Sequence, residues 1–221
     1  NVSASYQAGT ITVYNSTNGG NNAWTFSTNC LTTLGDGTDG GNSTIGPGAS
    51  ATEIDRFSLS IASGTDTVTG LTVTLGPTSA YTNIGTVTIK SSDDATTYCS
   101  ATPSSNTVLL TTCGIPVTTS ATDFLVKITP LSHGSMPAVP GASYATTATV
   151  TSVTTTNGTT GTDTDSATIT VDNASPAGVT SSTASGGNTV VDLGWTNPAD
   201  SDFTTSGTVV VLRRATSAVA D

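Results

Sequence analysis

Clustered oxygen ligands are the part of this sequence best able to do chemistry. Asp36, Asp39 and Asn42 fall within "DGTDGGN", Asp163, Asp165, Asp172 and Asn173 form a second cluster near a domain boundary, and Asp200 and Asp202 fall within "ADSDF". Asp, Asn and backbone carbonyls are the hard oxygen donors that calcium takes. The chemistry they offer is coordination of a divalent cation, and calcium is the one cofactor the sequence argues for. None of the clusters has the twelve-residue spacing of an EF-hand loop. The same residues are also ordinary turn formers, so a purely structural reading stands beside the calcium one.

Catalytic sets are harder to assemble. The single histidine, His133, lies in the Pro/Gly-rich stretch "LSHGSMPAVPGAS" (131–143), and no G-x-S-x-G elbow accompanies it. A nucleophilic serine needs a base in reach, and pairing Cys30 with His133 is an equally poor thiol centre. His133 reads better as a solvated loop residue. No C-x-x-C or H-x-x-x-H spacing suggests zinc. Paired carboxylates can hydrolyse glycosides, but the scattered aspartates single out no pair. The expectation is a protein that is not an enzyme.

Composition supports that expectation. The 221 residues carry a net charge of −10, with only five basic side chains: Arg56, Lys90, Lys127, Arg213 and Arg214. Nucleic-acid binding needs clustered cations, so no nucleic-acid partner is expected. An acidic surface repels anionic membranes and attracts divalent cations. No apolar run is long enough to span a bilayer, so no membrane insertion is expected. A Ser/Thr-rich, Lys-poor chain that starts at Asn1 without Met reads as a processed or excerpted secreted product, extracellular or at the cell surface. Cys99 and Cys113 flank "SATPSSNTVLLTT". Two strands around that turn can bring them together as a disulfide in an oxidising compartment, or leave two buried thiols in a reduced one. Cys30 is left over: buried, exposed, or a cross-link to another chain. The five N-x-S/T sequons are about what so much Ser and Thr produces by chance.

The elements that must position these residues are strands. Short alternating runs of Val, Ile, Leu and Thr recur at 54–62, 67–76, 85–92, 96–101, 106–112, 122–130, 144–153 and 165–173, separated by polar turns. In the first of these, Phe57, Leu59 and Ile61 share one face. No window sustains a helical period. An all-β, antiparallel β-sandwich of immunoglobulin-like type is expected for residues 1–172. "SGTD" (63–66) reads as a hairpin turn between two of its strands, and "GDGTDGGNSTIGPGAS" (35–50) as a long loop. The first fifty residues are irregular and Gly-rich. Within them "GTITVYN" (9–15) can act as a donor assembly strand through Ile11, Val13 and Tyr14, or simply begin its own sheet. "DNASPAGV" reads as a linker, because Pro176 cannot continue a ladder, and it sets a boundary near residue 173.

Residues 176–214 resemble the opening strands of a fibronectin type III domain. Pro176 and Val179 match its first strand, Val191, Leu193 and Trp195 its second, Pro198 the position after the Trp, and "TVVVLRR" its third. The resemblance implies an incomplete sandwich over 173–221, with Val191, Leu193 and Trp195 in its core, in a family of binding and spacer modules. Three strands do not close such a sandwich. A longer chain, strands from a neighbour, or docking on the first domain are the ways to complete it. "TVDNASP" is similar to the acidic linkers where calcium stiffens tandem β modules, and the chain as a whole looks like bacterial secreted surface proteins with tandem immunoglobulin-like modules. The expected function is structural: a self-associating subunit of a surface filament, sheath or surface layer. The alternative is an adhesin or carbohydrate-binding accessory module, with glycans or other surface proteins as partners and Trp24 or Trp195 stacking on sugar.

Overall fold

A computed structural model of the chain describes residues 30–137, 142–199, 203 and 207–212. Ile11, Val13, Tyr14, Trp24, Asp200, Asp202, Arg213 and Arg214 lie outside the described residues. The chain divides into two compact units, Asn1–Asn173 and Ala174–Asp221. Both are built from strands.

The first unit is a two-layer sandwich. One sheet has the order β10 (Thr159–Gly161), β1 (Thr32–Asp36), β3 (Thr52–Ile61), β8 (Thr122–Pro130), β5 (Ile84–Ser91), β6 (Thr97–Ala101). The other runs β2 (Ser43–Ile45), β11 (Ile169–Asp172), β9 (Ser143–Thr155), β4 (Asp66–Gly76), β7 (Thr107–Val117). Thr-rich alternation explains the layers: apolar side chains at every second position meet inside, and threonines face water. Phe57, Leu59 and Ile61 of β3, Leu71, Val73 and Leu75 of β4, and Phe124, Val126 and Ile128 of β8 are all buried. Phe57 stacks on Phe124 with ring centroids 5.6 Å apart, and Tyr98 meets Phe124 edge-on at 5.7 Å. Each fully buried side chain of this size contributes about 1.5–3 kcal/mol.

The topology departs from a simple meander in three places. "SGTD" is not a hairpin turn: β3 and β4 belong to different sheets, and the segment carries the chain across the sandwich. The same holds for "TPSSN" between β6 and β7. The stretch expected as one long loop at 35–50 contains the end of β1 and the whole of β2. These strands bring parallel pairings into an otherwise antiparallel fold, β1 with β10 and β2 with β11. Turn composition signals a reversal of direction, and it does not say which sheet receives the next strand.

Cys99 and Cys113 form a disulfide with Cα atoms 4.7 Å apart. Because β6 and β7 are the outer strands of their sheets on the same side, this bond staples one open side of the sandwich. Cys30 is buried in the core as a free thiol. The long edge β7 is blunted against further pairing. Thr112 and Gly114 adopt left-handed φ of 57° and 63°, and Pro116 offers no N–H.

In the second unit, β12 (Thr180–Gly186) and β13 (Val191–Thr196) form an antiparallel hairpin. Val191, Leu193 and Trp195 are 64%, 49% and 41% exposed. They are therefore exposed rather than core: among the described residues no second sheet covers them. Residues 208–212, the described part of the expected third strand "TVVVLRR", carry no strand pairing.

The disulfide closes a loop of about fifteen residues, which in the chain-entropy treatment stabilises by roughly 3 kcal/mol. The Cys99→Ser/Cys113→Ser double variant should unfold at lower denaturant concentration by about that free energy. An unchanged urea midpoint would show that the staple adds nothing to the closed side.

Candidate functional site

The side of the sandwich opposite the disulfide is closed differently. Here the chain crosses from one sheet to the other twice, in the same direction. Residues 37–42 lead from β1 to β2, and residues 162–168 lead from β10 to β11. The parallel pairings before and after these segments lay the two crossovers alongside each other. Two glycines make the approach possible. A Cβ on Gly37 would lie 2.4 Å from the Arg56 carbonyl oxygen, and one on Gly161 would lie 2.1 Å from that of Leu34. Gly161 also has φ of 81°, which disfavours any side chain.

Backbone and side-chain bonds then tie both crossovers to the sheets. Gly37 donates to the Arg56 carbonyl at 2.7 Å and Ala167 to that of Ile54 at 2.9 Å. The Thr168 N–H donates to Asn42 Oδ1 at 2.8 Å. A register shift in β3 between Glu53 and Asp55 interrupts the ladder with β8, and the Arg56 N–H donates to Asp39 Oδ1 at 2.7 Å. On the other sheet the Val150 N–H of β9 donates to Asp163 Oδ2 at 2.7 Å. Thr164 Oγ1 donates to Asp36 Oδ2 at 3.4 Å.

These bonds bring five carboxyl groups together: Asp36 and Asp39 from the first crossover side, Asp163 and Asp165 from the second, and Asp55 beneath them on β3. Asp55 meets Asp163 and Asp39, and Asp36 meets Asp163 and Asp165, carboxyl against carboxyl. Asp55 is completely buried, and Asp163 is 6% exposed. Both Asp55 oxygens and Asp163 Oδ1 have no donor from the protein. The carboxyls stand in pairwise contact, and among the described residues no three His, Cys, Asp or Glu side chains already surround one centre.

Electrostatics follow from this crowding. Burial, then repulsion from Asp163 and Asp39, pushes Asp55 up to about 9. Burial also raises Asp163, to about 7, against the hydrogen bond from Val150. Asp165 is raised by its contact with Asp36, and Asp39 by burial. Asp36 moves the other way: burial raises it, but the hydrogen bonds it accepts from Asp163, Asp165 and Thr164 outweigh burial and lower it. No described basic side chain relieves the cluster. Arg56 pairs with Glu53 at 3.1 Å, and Lys90 and Lys127 both pair with Asp94 at 2.5 Å.

Four of the sequence candidates thus converge: Asp36, Asp39, Asp163 and Asp165. Asp172 and Asn173 do not join them. Asp172 accepts a hydrogen bond from Ser143 Oγ at 2.8 Å, and Asn173 Oδ1 lies 2.5 Å from His133 Nδ1. His133 sits exposed on a short 3-10 turn, His133–Ser135. Asp55 escaped the sequence reading, although its parity gave a signal: it falls in phase with Phe57, Leu59 and Ile61, on the face that turns inward. In the second unit Val179, Leu193, Trp195, Val209 and Val211 line an apolar groove of about 330 Å³. Trp195 Nε1 donates to Asn197 Oδ1 at 2.9 Å. Among the described residues no helix is long and apolar enough to cross a membrane. The chain matches no protein-family model, and no curated protein is similar to it.

The raised carboxyls set the sign of the pH response. Between about pH 4 and 9 the folded chain holds protons that the unfolded chain has released. Stability is therefore full below the ordinary carboxyl range and declines as pH rises through 7 towards 9. In a chelating buffer, the melting temperature should fall steadily from pH 5 to pH 9. Asp55→Asn, which replaces the protonated acid by a neutral amide, should flatten that slope; a wild-type slope in this variant would show that Asp55 is not its source.

Proposed function

We propose that this chain is a non-enzymatic structural module of the cell exterior, a subunit of a surface filament, sheath or surface layer that packs against copies of itself. The observation that carries the reading is the exposed apolar side of the second unit. Val191, Leu193, Trp195, Val210 and Leu212 are all between 41% and 73% exposed on a unit whose only described sheet has two strands. Isolated hairpins are marginal in water, and a contiguous apolar patch of this kind marks a contact surface. The first unit supports the reading in another way. It is a closed sandwich with its long edge blunted by left-handed residues and a proline, so contacts between copies fall to side-chain packing of the second unit rather than to strand addition along β7. The Cys99–Cys113 disulfide favours an oxidising, extracellular setting.

The alternative, an adhesin or carbohydrate-binding module, has one observation in its favour: Trp195 is part-exposed beside an apolar groove, where an aromatic face can stack on a sugar.

Native material should show concentration-dependent assembly in sedimentation velocity and regular polymers by negative-stain electron microscopy. Leu193→Asp/Trp195→Asp should abolish both while leaving the first unit's disulfide and melting transition intact. A chain that stays monomeric at every concentration, with or without calcium, overturns the assembly reading. Glycan binding lost on Trp195→Ala would then favour the alternative.

A further inference from the structure

We propose that Asp36, Asp39, Asp55, Asp163 and Asp165 form a calcium site that locks the two crossovers together over β3. The inference stands on the first unit alone and does not depend on the assembly reading.

Its strongest support is Asp55. A carboxylate with no exposed surface and no well-formed hydrogen bond to either oxygen is costly unless something positive or protic reaches it. The groups that face it are themselves carboxyls, Asp163 and Asp39, together with the Arg56 backbone N–H, which is given to Asp39 Oδ1 at 2.7 Å. Val126 is its register partner on β8 and brings no charge. Asp163 likewise keeps one buried oxygen without a donor. The described basic side chains are engaged elsewhere, Arg56 with Glu53 and both lysines with Asp94. Two agents can neutralise such a group: protons shared between carboxyls, or a bound cation.

The arrangement favours the cation. Buried carboxyls from β3 and the second crossover lie beneath Asp36 and Asp165, which are exposed and leave a route from solvent. Calcium accepts six to eight oxygens in irregular geometry, whereas magnesium demands a near-ideal octahedron and keeps several waters. A crowded, partly buried carboxylate set therefore suits calcium better. Binding entails rotation of the side chains from pairwise contact to a common centre. The ion replaces carboxyl–carboxyl repulsion by attraction, and it bridges two segments whose direct contacts span 126 and 128 residues of chain. That is a mechanical role: the side of the sandwich without a disulfide acquires a cross-link of its own.

The test uses the full chain in its oxidised form, with calcium chloride as the probe and magnesium chloride as the control. At pH 7.5, after chelator treatment and dialysis, isothermal titration should show heat with calcium that magnesium at equal concentration does not reproduce. Once free calcium exceeds its Kd about a hundredfold, the melting temperature of the first unit should rise by about 5–10 °C. Amide exchange should slow in peptides covering residues 36–45 and 160–170. Affinity should weaken as pH falls from 8 to 5, because calcium must displace the protons held there.

Asp55→Asn should lose the calcium heat and the exchange protection, and its melting temperature in chelator at pH 7.5 should equal or exceed that of the parent chain. Should that buried variant fail to fold, the surface variant Asp36→Asn/Asp165→Asn keeps the test open, and it should weaken binding at least tenfold. Two results overturn the proposal. One is identical melting and exchange in chelator and in 10 mM calcium, which would leave the carboxyls held by shared protons. The other is calcium binding of undiminished strength in the double surface variant, which would place the ion elsewhere.

Discussion

Two sheets of Thr-rich strands bury their apolar faces against each other, and the two open sides of the sandwich are closed by means that differ in kind. One is covalent, a disulfide between the outer strands β6 and β7. The other is the side-by-side passage of two crossovers over a buried carboxyl group. The second closure rests on the parallel pairings of β1 with β10 and β2 with β11, on the bare Cα positions at Gly37 and Gly161, and on the Arg56 N–H bond to Asp39. A hydrophobic plug would have closed the same gap at lower electrostatic cost. Carboxyls in its place make the closure sensitive to pH and, on the calcium proposal, to cation concentration, while the disulfide responds to redox state alone.

The core was legible in the sequence because its signal is local. Phe57, Leu59 and Ile61, or Leu71, Val73 and Leu75, alternate with polar residues over one strand, and burial follows the same alternation. What was not legible is non-local. "SGTD" and "TPSSN" have the composition of hairpin turns, yet each carries the chain to the other sheet, since a turn's residues specify its φ and ψ and not its destination. β2 and β10 are three residues long. Strands so short take their existence from the pairing partner, and no periodicity can form in three residues.

The carboxyl cluster shows the same division. Asp36 and Asp39 belong to one stretch of sequence and Asp163 and Asp165 to another, and only the parallel crossovers bring them together. Their residue type suggested cation chemistry, while their grouping required the topology. Asp172 and Asn173 were grouped with Asp163 by proximity along the chain, but the strand β11 separates them in space. Asp55 was hidden by its surroundings. In "IDRFSLSIA" one acid among alternating apolar residues reads as a strand's polar face, although its position is in phase with the buried set. A carboxyl on the inward parity of an otherwise apolar strand is therefore the sequence sign of such a buried acid.

Charge distribution links the two units. The chain carries −10, and its described basic side chains are consumed in local pairs, so its surface is acidic with little relief. Copies of such a chain repel one another at long range. At physiological ionic strength that repulsion is screened beyond about 8 Å, whereas apolar packing acts only at contact. The self-association we propose through the second unit would thus be opposed weakly on approach and favoured once Leu193 and Trp195 lose water. A divalent cation held by the first unit lowers the net charge of each copy and reduces the remaining opposition. If both proposals hold, calcium does two separable things: it fixes the shape of the module, and it lowers the electrostatic barrier between modules. The first depends on Asp55 and survives dilution; the second scales with the square of the net charge and disappears in high salt.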